Sequence, residues 1–138
     1  MLYTQLIYGT MIITAVVIFH VASLVFLARL LKRWHDNYSL FDNVKVAAVG
    51  LGTSVFFIIG INMIEAWFWA YIYLLLGEFQ TINDALYFSI STATTVGYGD
   101  VVMSEQWRLL SSFEAMGGWW LLFGPSTVFF NGINALCL

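Results

Sequence analysis

Residues 95–100, Thr-Val-Gly-Tyr-Gly-Asp, combine residue types and a spacing suited to binding a cation. Gly97 and Gly99 stand at alternate positions, and glycine adopts backbone angles that are closed to other residues. A segment of this kind can turn successive carbonyls to one side, which an ordinary β-strand cannot do. Such carbonyls would replace the water around a dehydrated cation without adding fixed charge, and Thr95 adds a hydroxyl. The alternative is a loop that contains glycines by chance.

Three ionisable residues lie inside long apolar runs: His20, Glu65 and Glu114. A carboxylate in an apolar membrane segment is costly, so each glutamate should be paired, protonated or next to water. We expect Glu114 to help hold the structure behind residues 95–100, although a simple packing role is the alternative for either glutamate. His20 is interpreted as a packed core histidine rather than a pH sensor.

The composition shows which solvent these residues must face. The chain has 138 residues, of which 61% are hydrophobic and 9% charged. Soluble domains are roughly 45–50% apolar and roughly 25% charged, and a chain this small cannot bury so much apolar surface by itself. A membrane protein is therefore predicted. The net charge of −3 makes nucleic-acid binding unlikely as a function, and no catalytic motif is present, so we expect no enzyme activity.

The apolar runs predict three transmembrane helices in a single domain, residues 1–138. The predicted segments are an N-terminal helix at 6–28, an outer helix at 46–76 and an inner helix at 105–136, since each run is long enough to cross a bilayer. A shorter segment precedes residue 95 and is too short to cross. Thr81 as N-cap and Asp84 in the first turn predict a helix at 82–93.

The basic residues give the orientation. The predicted loop between the first two spans contains Arg29, Lys32, Arg33 and Lys45. Arg108 is the only other lysine or arginine in the chain. The positive-inside rule places that loop in the cytoplasm. A multi-pass protein of the cell membrane is predicted, with an extracellular N-terminus and a cytoplasmic C-terminus.

Thr95 to Asp100 matches the signature sequence of potassium channels, and the chain resembles the two-helix pore module of that family over about residues 46–136. The resemblance implies an all-α fold with a re-entrant pore helix and a selectivity filter, arranged as a homotetramer with fourfold symmetry. It implies K⁺ as the permeant ion, bound by the backbone carbonyls of Thr95, Val96, Gly97 and Tyr98 and by the Thr95 hydroxyl. The N-terminal helix lies outside this module, and we expect it to pack around the outside of the pore.

The resemblance also suggests which residues support the filter and line the pore. The filter-support candidates are Tyr87, Phe88, Ser91, Gly99, Asp100 and Glu114. Ser91 stands where some bacterial channels carry a glutamate that pairs with the aspartate after the filter, and Met103 stands where proline is common. The candidates for the cavity and gate are Gly118, Trp120, Phe123, Gly124, Pro125, Thr127 and Asn131; a kink is expected at Pro125.

The sequence therefore predicts passive, potassium-selective conduction through a homotetramer in the lipid bilayer. Two other functions remain open. One is a non-conducting accessory subunit of a larger channel, and the other is a cation channel of relaxed selectivity.

Overall fold

A computed structural model describes residues 2–38 and 44–118. Over these ranges the chain is helical and has no strand. Helix α1 spans Leu2–Tyr38, α2 spans Val44–Leu75 and α3 spans Ile82–Ala93. A fourth helix, α4, is described over residues 108–118. Two helical segments, Tyr3–Trp34 and Ala48–Leu75, are long and apolar enough to cross a membrane.

Helix α1 is longer than the segment 6–28 predicted from the apolar run. It continues through the basic stretch to Tyr38 because leucine, arginine and lysine are all good helix formers. Assigning Arg29, Lys32 and Arg33 to the connecting loop was wrong, since all three lie in the C-terminal part of α1. Lys45 likewise lies in the first turn of α2.

Helix α2 ends in a glycine cap. Gly77 has a φ of +75°, which a side chain disfavours. The Gly77 N–H donates to the Leu74 carbonyl and the Glu78 N–H donates to the Tyr73 carbonyl, at 3.0 and 3.1 Å. This pair of bonds is the Schellman arrangement, which satisfies carbonyls left free at a helix end. It turns the chain sharply toward α3.

Helix α3 begins and ends at the residues predicted for the short helix, 82 and 93. Thr81 is its N-cap with extended backbone angles, and its hydroxyl accepts a hydrogen bond from the Asp84 N–H at 3.2 Å. The Thr81 hydroxyl also donates to the Asp84 carboxylate at 2.8 Å. The acidic first turn complements the positive end of the helix dipole.

The predicted inner helix, 105–136, is described only in part. Residues 105–107 form a turn and the helix proper starts at 108. The Ser104 carbonyl accepts from the N–H groups of Trp107 and Arg108, at 3.2 and 3.0 Å, and so begins the helical hydrogen bonding.

The core joins every element around α3. Its buried members come from α1, α2, α3, the segment after residue 100, and α4: Val16, Trp69, Tyr73, Phe88, Met103 and Leu110. Tyr73 and Phe88 meet edge to face with ring centroids 5.5 Å apart, a favoured aromatic geometry. Burial of α3 within the other helices fixes the position of the segment that follows it.

Candidate functional site

Along residues 95–99, the sign of the backbone φ angle alternates from one residue to the next. Thr95, Gly97 and Gly99 have positive φ values of 60°, 53° and 77°, whereas Val96 and Tyr98 do not. Left-handed angles at every second residue rotate alternate peptide units, which brings successive carbonyls toward one side. Thr95 is the only non-glycine with positive φ in the described ranges. Such a conformation of a β-branched residue costs of order 1–3 kcal/mol and is typical of functional sites.

The N-terminal end of this segment is anchored to the C-terminus of α3. The Thr95 N–H donates to the Thr92 carbonyl at 2.9 Å, and the Gly97 N–H donates to the Ser91 carbonyl at 3.0 Å. Thr94 donates its backbone N–H and its hydroxyl to the Ile90 carbonyl. These bonds use carbonyls that a helix end leaves free, so residues 95–97 are fixed relative to the helix.

Tyr87 holds the C-terminal end of the segment, at Tyr98 and Asp100. The Tyr87 hydroxyl donates to Asp100 Oδ2 at 2.8 Å, and its ring stacks on Tyr98 with centroids 6.4 Å apart and an interplanar angle of 10°. The hydrogen bond to the Asp100 carboxylate raises the pKa of the Tyr87 phenol above its ordinary value of 10.0. One aromatic side chain thus contacts the last two side chains of the segment.

The other residues expected behind the filter have different surroundings. Ser91 is buried and donates to the Phe88 carbonyl at 3.0 Å, so Tyr87 and not residue 91 is the partner of Asp100. Phe88 points into the core beside Tyr73 and Phe79 rather than toward Tyr98. Met103, at the position where proline is common, is buried in the same core.

Glu114 lies at the centre of a buried polar cluster, with 1% of its surface exposed. The Tyr73 hydroxyl of α2 donates to its Oε2 at 2.5 Å, and the Ser89 hydroxyl of α3 lies within hydrogen-bonding distance of its Oε1. Ser89 also contacts the Ala66 carbonyl oxygen at 2.9 Å. A serine hydroxyl has one proton and can donate to only one of these acceptors. If Glu114 is protonated, it would donate to the Ser89 oxygen while Ser89 donates to the Ala66 carbonyl, so that every group of the cluster has a partner. Glu114 connects α2, α3 and α4.

Glu65 forms a second buried polar pair. Its Oε1 lies 2.9 Å from Nδ1 of His20, and both residues are buried. His20 therefore has a carboxyl partner, which the interpretation of a merely packed histidine did not include. No hydrogen bond joins Glu65 or Glu114 to Ser91 or Asp100 among the described residues.

Of the candidates for the cavity and gate, Gly118 is described. A Cβ atom placed there would lie 2.1 Å from the Ala93 carbonyl oxygen, so α4 and the end of α3 are in backbone contact. The remaining candidates, Trp120, Phe123, Gly124, Pro125, Thr127 and Asn131, lie outside the described residues.

Residues 59–133 match the family model described as "Ion channel". The matched range covers just over half of the chain and includes α3, residues 95–100 and α4. The chain belongs to this ion channel family. No curated protein and no solved structure matches it significantly.

Because the chain belongs to this family, it is a membrane protein of the ion channel class. The match begins within α2, so α1 lies outside the matched range. In this structure α1 nevertheless contacts the channel core: Val16 belongs to the core cluster, the Gln5 amide donates to the Gln106 carbonyl, and Gly9 lies against the Phe113 ring.

Sequence reasoning missed several residues of this site. The partners of Glu114, Tyr73 and Ser89, are ordinary tyrosine and serine residues in apolar helices. Glu78 was also missed, although it accepts from both the N–H and the hydroxyl of Ser104 at 2.7 Å. The sequence offers one signal for Glu78, an acidic residue directly after the glycine that ends a helix. This signal does not identify the residue that Glu78 binds.

Proposed function

We propose that the channel conducts potassium ions selectively through a tetramer of identical chains. The observation that carries the proposal is the alternation of backbone hand at Thr95, Gly97 and Gly99. This alternation supports a row of carbonyls that replaces the hydration shell of K⁺, with Thr95, Val96, Gly97 and Tyr98 as the carbonyl donors.

One chain cannot surround an ion with a single row of oxygens. In the isolated chain, residues 94–100 are exposed, including 53% of Val96 and 72% of Tyr98. Large side chains that are exposed so close together are typically covered by a partner surface. Three further copies around a common axis would close the cage of oxygens and cover these side chains.

The end of α3 supports the same function. Thr94 caps the helix C-terminus, where the helix dipole places partial negative charge. This charge stabilises a cation that approaches residue 95. We place the basic ends of α1 and α2 on the cytoplasmic side of the cell membrane, in accord with the positive-inside rule.

Purified protein reconstituted into liposomes tests the proposal. We expect K⁺ flux that greatly exceeds Na⁺ flux, and a reversal potential in bilayer recordings that follows the K⁺ gradient. Flux by the purified chain alone would contradict an accessory role, and equal K⁺ and Na⁺ permeability would favour relaxed selectivity.

The variant Gly97→Ala tests the role of the backbone. A Cβ at Gly97 meets no atom within 4 Å in the chain, but its φ of +53° disfavours any side chain, so we expect loss of K⁺ flux through altered backbone angles. Gly60→Ala is the matched control, since its Cβ also meets nothing and Gly60 lies in helix α2. Flux should persist in that variant. Full flux in Gly97→Ala would exclude the proposed carbonyl row.

A further inference from the structure

The His20–Glu65 pair joins the N-terminal helix to the channel module. The two side chains meet at 2.9 Å between α1 and α2, and the residues are only 3% and 5% exposed. Within the part of the chain that the structure describes, each keeps one buried polar atom without a hydrogen-bond partner, His20 Nε2 and Glu65 Oε2. A buried pair with unsatisfied atoms is sensitive to its charge, because nothing else compensates a gained or lost proton.

Other charged groups lie far from the pair. On α1 the nearest is Arg29, nine residues away and so roughly 13 Å along the helix. On α2 the nearest titratable group that faces the core is Tyr73, two turns beyond Glu65, and its hydroxyl bonds Glu114 of α4. Residues 119–138 contain no Asp, Glu, Lys, Arg or His. The pair must therefore balance its own charge.

Space for movement lies beside the pair. A recess of about 290 Å³ opens between α1 and α2 next to Glu65, and its other lining residues are apolar: Ala15, Val16, Phe19, Ile64 and Phe68. The Glu65 side chain therefore borders open space on one side.

The pair is also close to the bracing of the filter. Val16 lies one turn from His20 on α1, and Trp69 lies one turn from Glu65 on α2. Val16, Trp69 and Tyr73 pack in the same buried cluster. Tyr73 then holds Glu114, which contacts Ser89 of α3. A shift of α1 relative to α2 therefore acts on the contacts that position α3.

We propose that the His20–Glu65 pair is a proton-operated lock between α1 and α2 that keeps the filter conductive when the pair is neutral. The proposal rests on the proposed function only for its effect on conduction. In the neutral state the histidine ring and the carboxyl together hold two protons, either as imidazolium and carboxylate or as imidazole and carboxylic acid. Acid adds a third proton and leaves a buried charge of +1. Alkali removes one to water and leaves −1.

Both charged states are costly in an apolar membrane segment. The helices then separate at the recess, the bracing of α3 loosens, and conduction falls. A plot of K⁺ flux against pH therefore rises and falls again, with an acid limb and an alkaline limb.

Single variants separate the limbs. Glu65→Gln leaves a histidine that only gains a charge in acid, so the alkaline limb should disappear. His20→Gln leaves a carboxyl that only gains a charge in alkali, so the acid limb should disappear. The double variant should lose both limbs. Glu105→Gln is the control, because Glu105 is exposed, and it should keep both limbs.

A measurement that needs no conduction tests the pair itself. Infrared difference spectra of the protein in lipid, recorded across pH, should show a carboxylic acid band that is absent in Glu65→Gln and titrates at a different pH in His20→Gln. If the protein passes no K⁺ while this band behaves as described, the lock stands and the proposed conduction fails. A Glu65 band indifferent to His20, or limbs retained in the double variant, would overturn the lock.

Discussion

Gly118 of α4 lies against the carbonyl of Ala93, the last residue of α3. An added Cβ at Gly118 would stand 2.1 Å from the Ala93 oxygen and 2.8 Å from its carbonyl carbon. Cβ atoms do not approach backbone this closely, and Ala93 is two residues from Thr95. The glycine therefore permits α4 to support the backbone that leads into residues 95–100 directly.

Gly118→Ala is expected to abolish or strongly reduce K⁺ flux. The new methyl group must push the C-terminal end of α3 away, which displaces Thr95. The adjacent glycine gives a matched control, because a Cβ at Gly117 would lie 3.6 Å from Ile13 Cδ1, an ordinary contact. Gly117→Ala should retain flux. Equal flux in both variants, measured in liposomes at equal protein content, would contradict a direct role of this contact.

The cluster around Glu114 should contribute substantially to stability. Tyr73→Phe removes one hydrogen bond and leaves Oε2 of a buried carboxyl without its donor, which costs about 1–3 kcal/mol. Glu114→Ala leaves the Tyr73 hydroxyl without its acceptor and creates a cavity, so it should cost more, about 2–5 kcal/mol. Thermal unfolding in detergent measures both effects.

Tyr71→Phe serves as the control for Tyr73→Phe. Tyr71 lies on the same helix but is 59% exposed, so loss of its hydroxyl should leave the unfolding temperature nearly unchanged. If Tyr73→Phe unfolds at the same temperature as Tyr71→Phe, the hydrogen bond to Glu114 has no net effect on stability.

The bounds of α3 could be predicted because its signals are local. Thr81 and Asp84 are three residues apart and act on the same helix turn. The polar pairs could not be predicted in the same way, since His20 and Glu65 are 45 residues apart and Tyr73 and Glu114 are 41 apart. Only the packing of the helices brings them together. A buried ionisable residue in an apolar run predicts that a partner exists, but not which residue it is.

The backbone of residues 95–99 was likewise predictable only in part. Positive φ at Gly97 and Gly99 follows from residue type and spacing. Positive φ at Thr95 does not, because a β-branched residue disfavours it and the surrounding structure must impose it. Its N–H bond to Thr92 and the contact of α4 with Ala93 provide that constraint.

Glu78 should hold the segment that leads from the filter to α4. Both of its carboxylate oxygens accept hydrogen bonds from Ser104 at 2.7 Å. Glu78→Met removes both acceptors at a similar side-chain length, so we expect decay of K⁺ current during sustained recording to become several-fold faster. Glu105→Met, in the same region but exposed and paired only at 3.8 Å with Arg108, should not change the decay. Unchanged kinetics in both would exclude this role.

The bond between Tyr87 and Asp100 should give a pH dependence of its own. Because the bond raises the pKa of the phenol, it favours the folded site at pH values below the ordinary tyrosine pKa of 10.0, and this contribution is lost as pH rises through the raised value. The rate at which K⁺ current decays during sustained recording should therefore be constant through neutral pH and rise only in strong alkali. This decay rate is separate from the initial flux, which the His20–Glu65 pair changes with pH. In Asp100→Asn the pKa of Tyr87 should fall, which an ultraviolet titration of tyrosinate absorbance detects as a difference from the parent. Tyr87→Phe should decay faster at every pH and should lack this difference, and an Asp100→Asn titration curve that overlays the parent curve would contradict the bond.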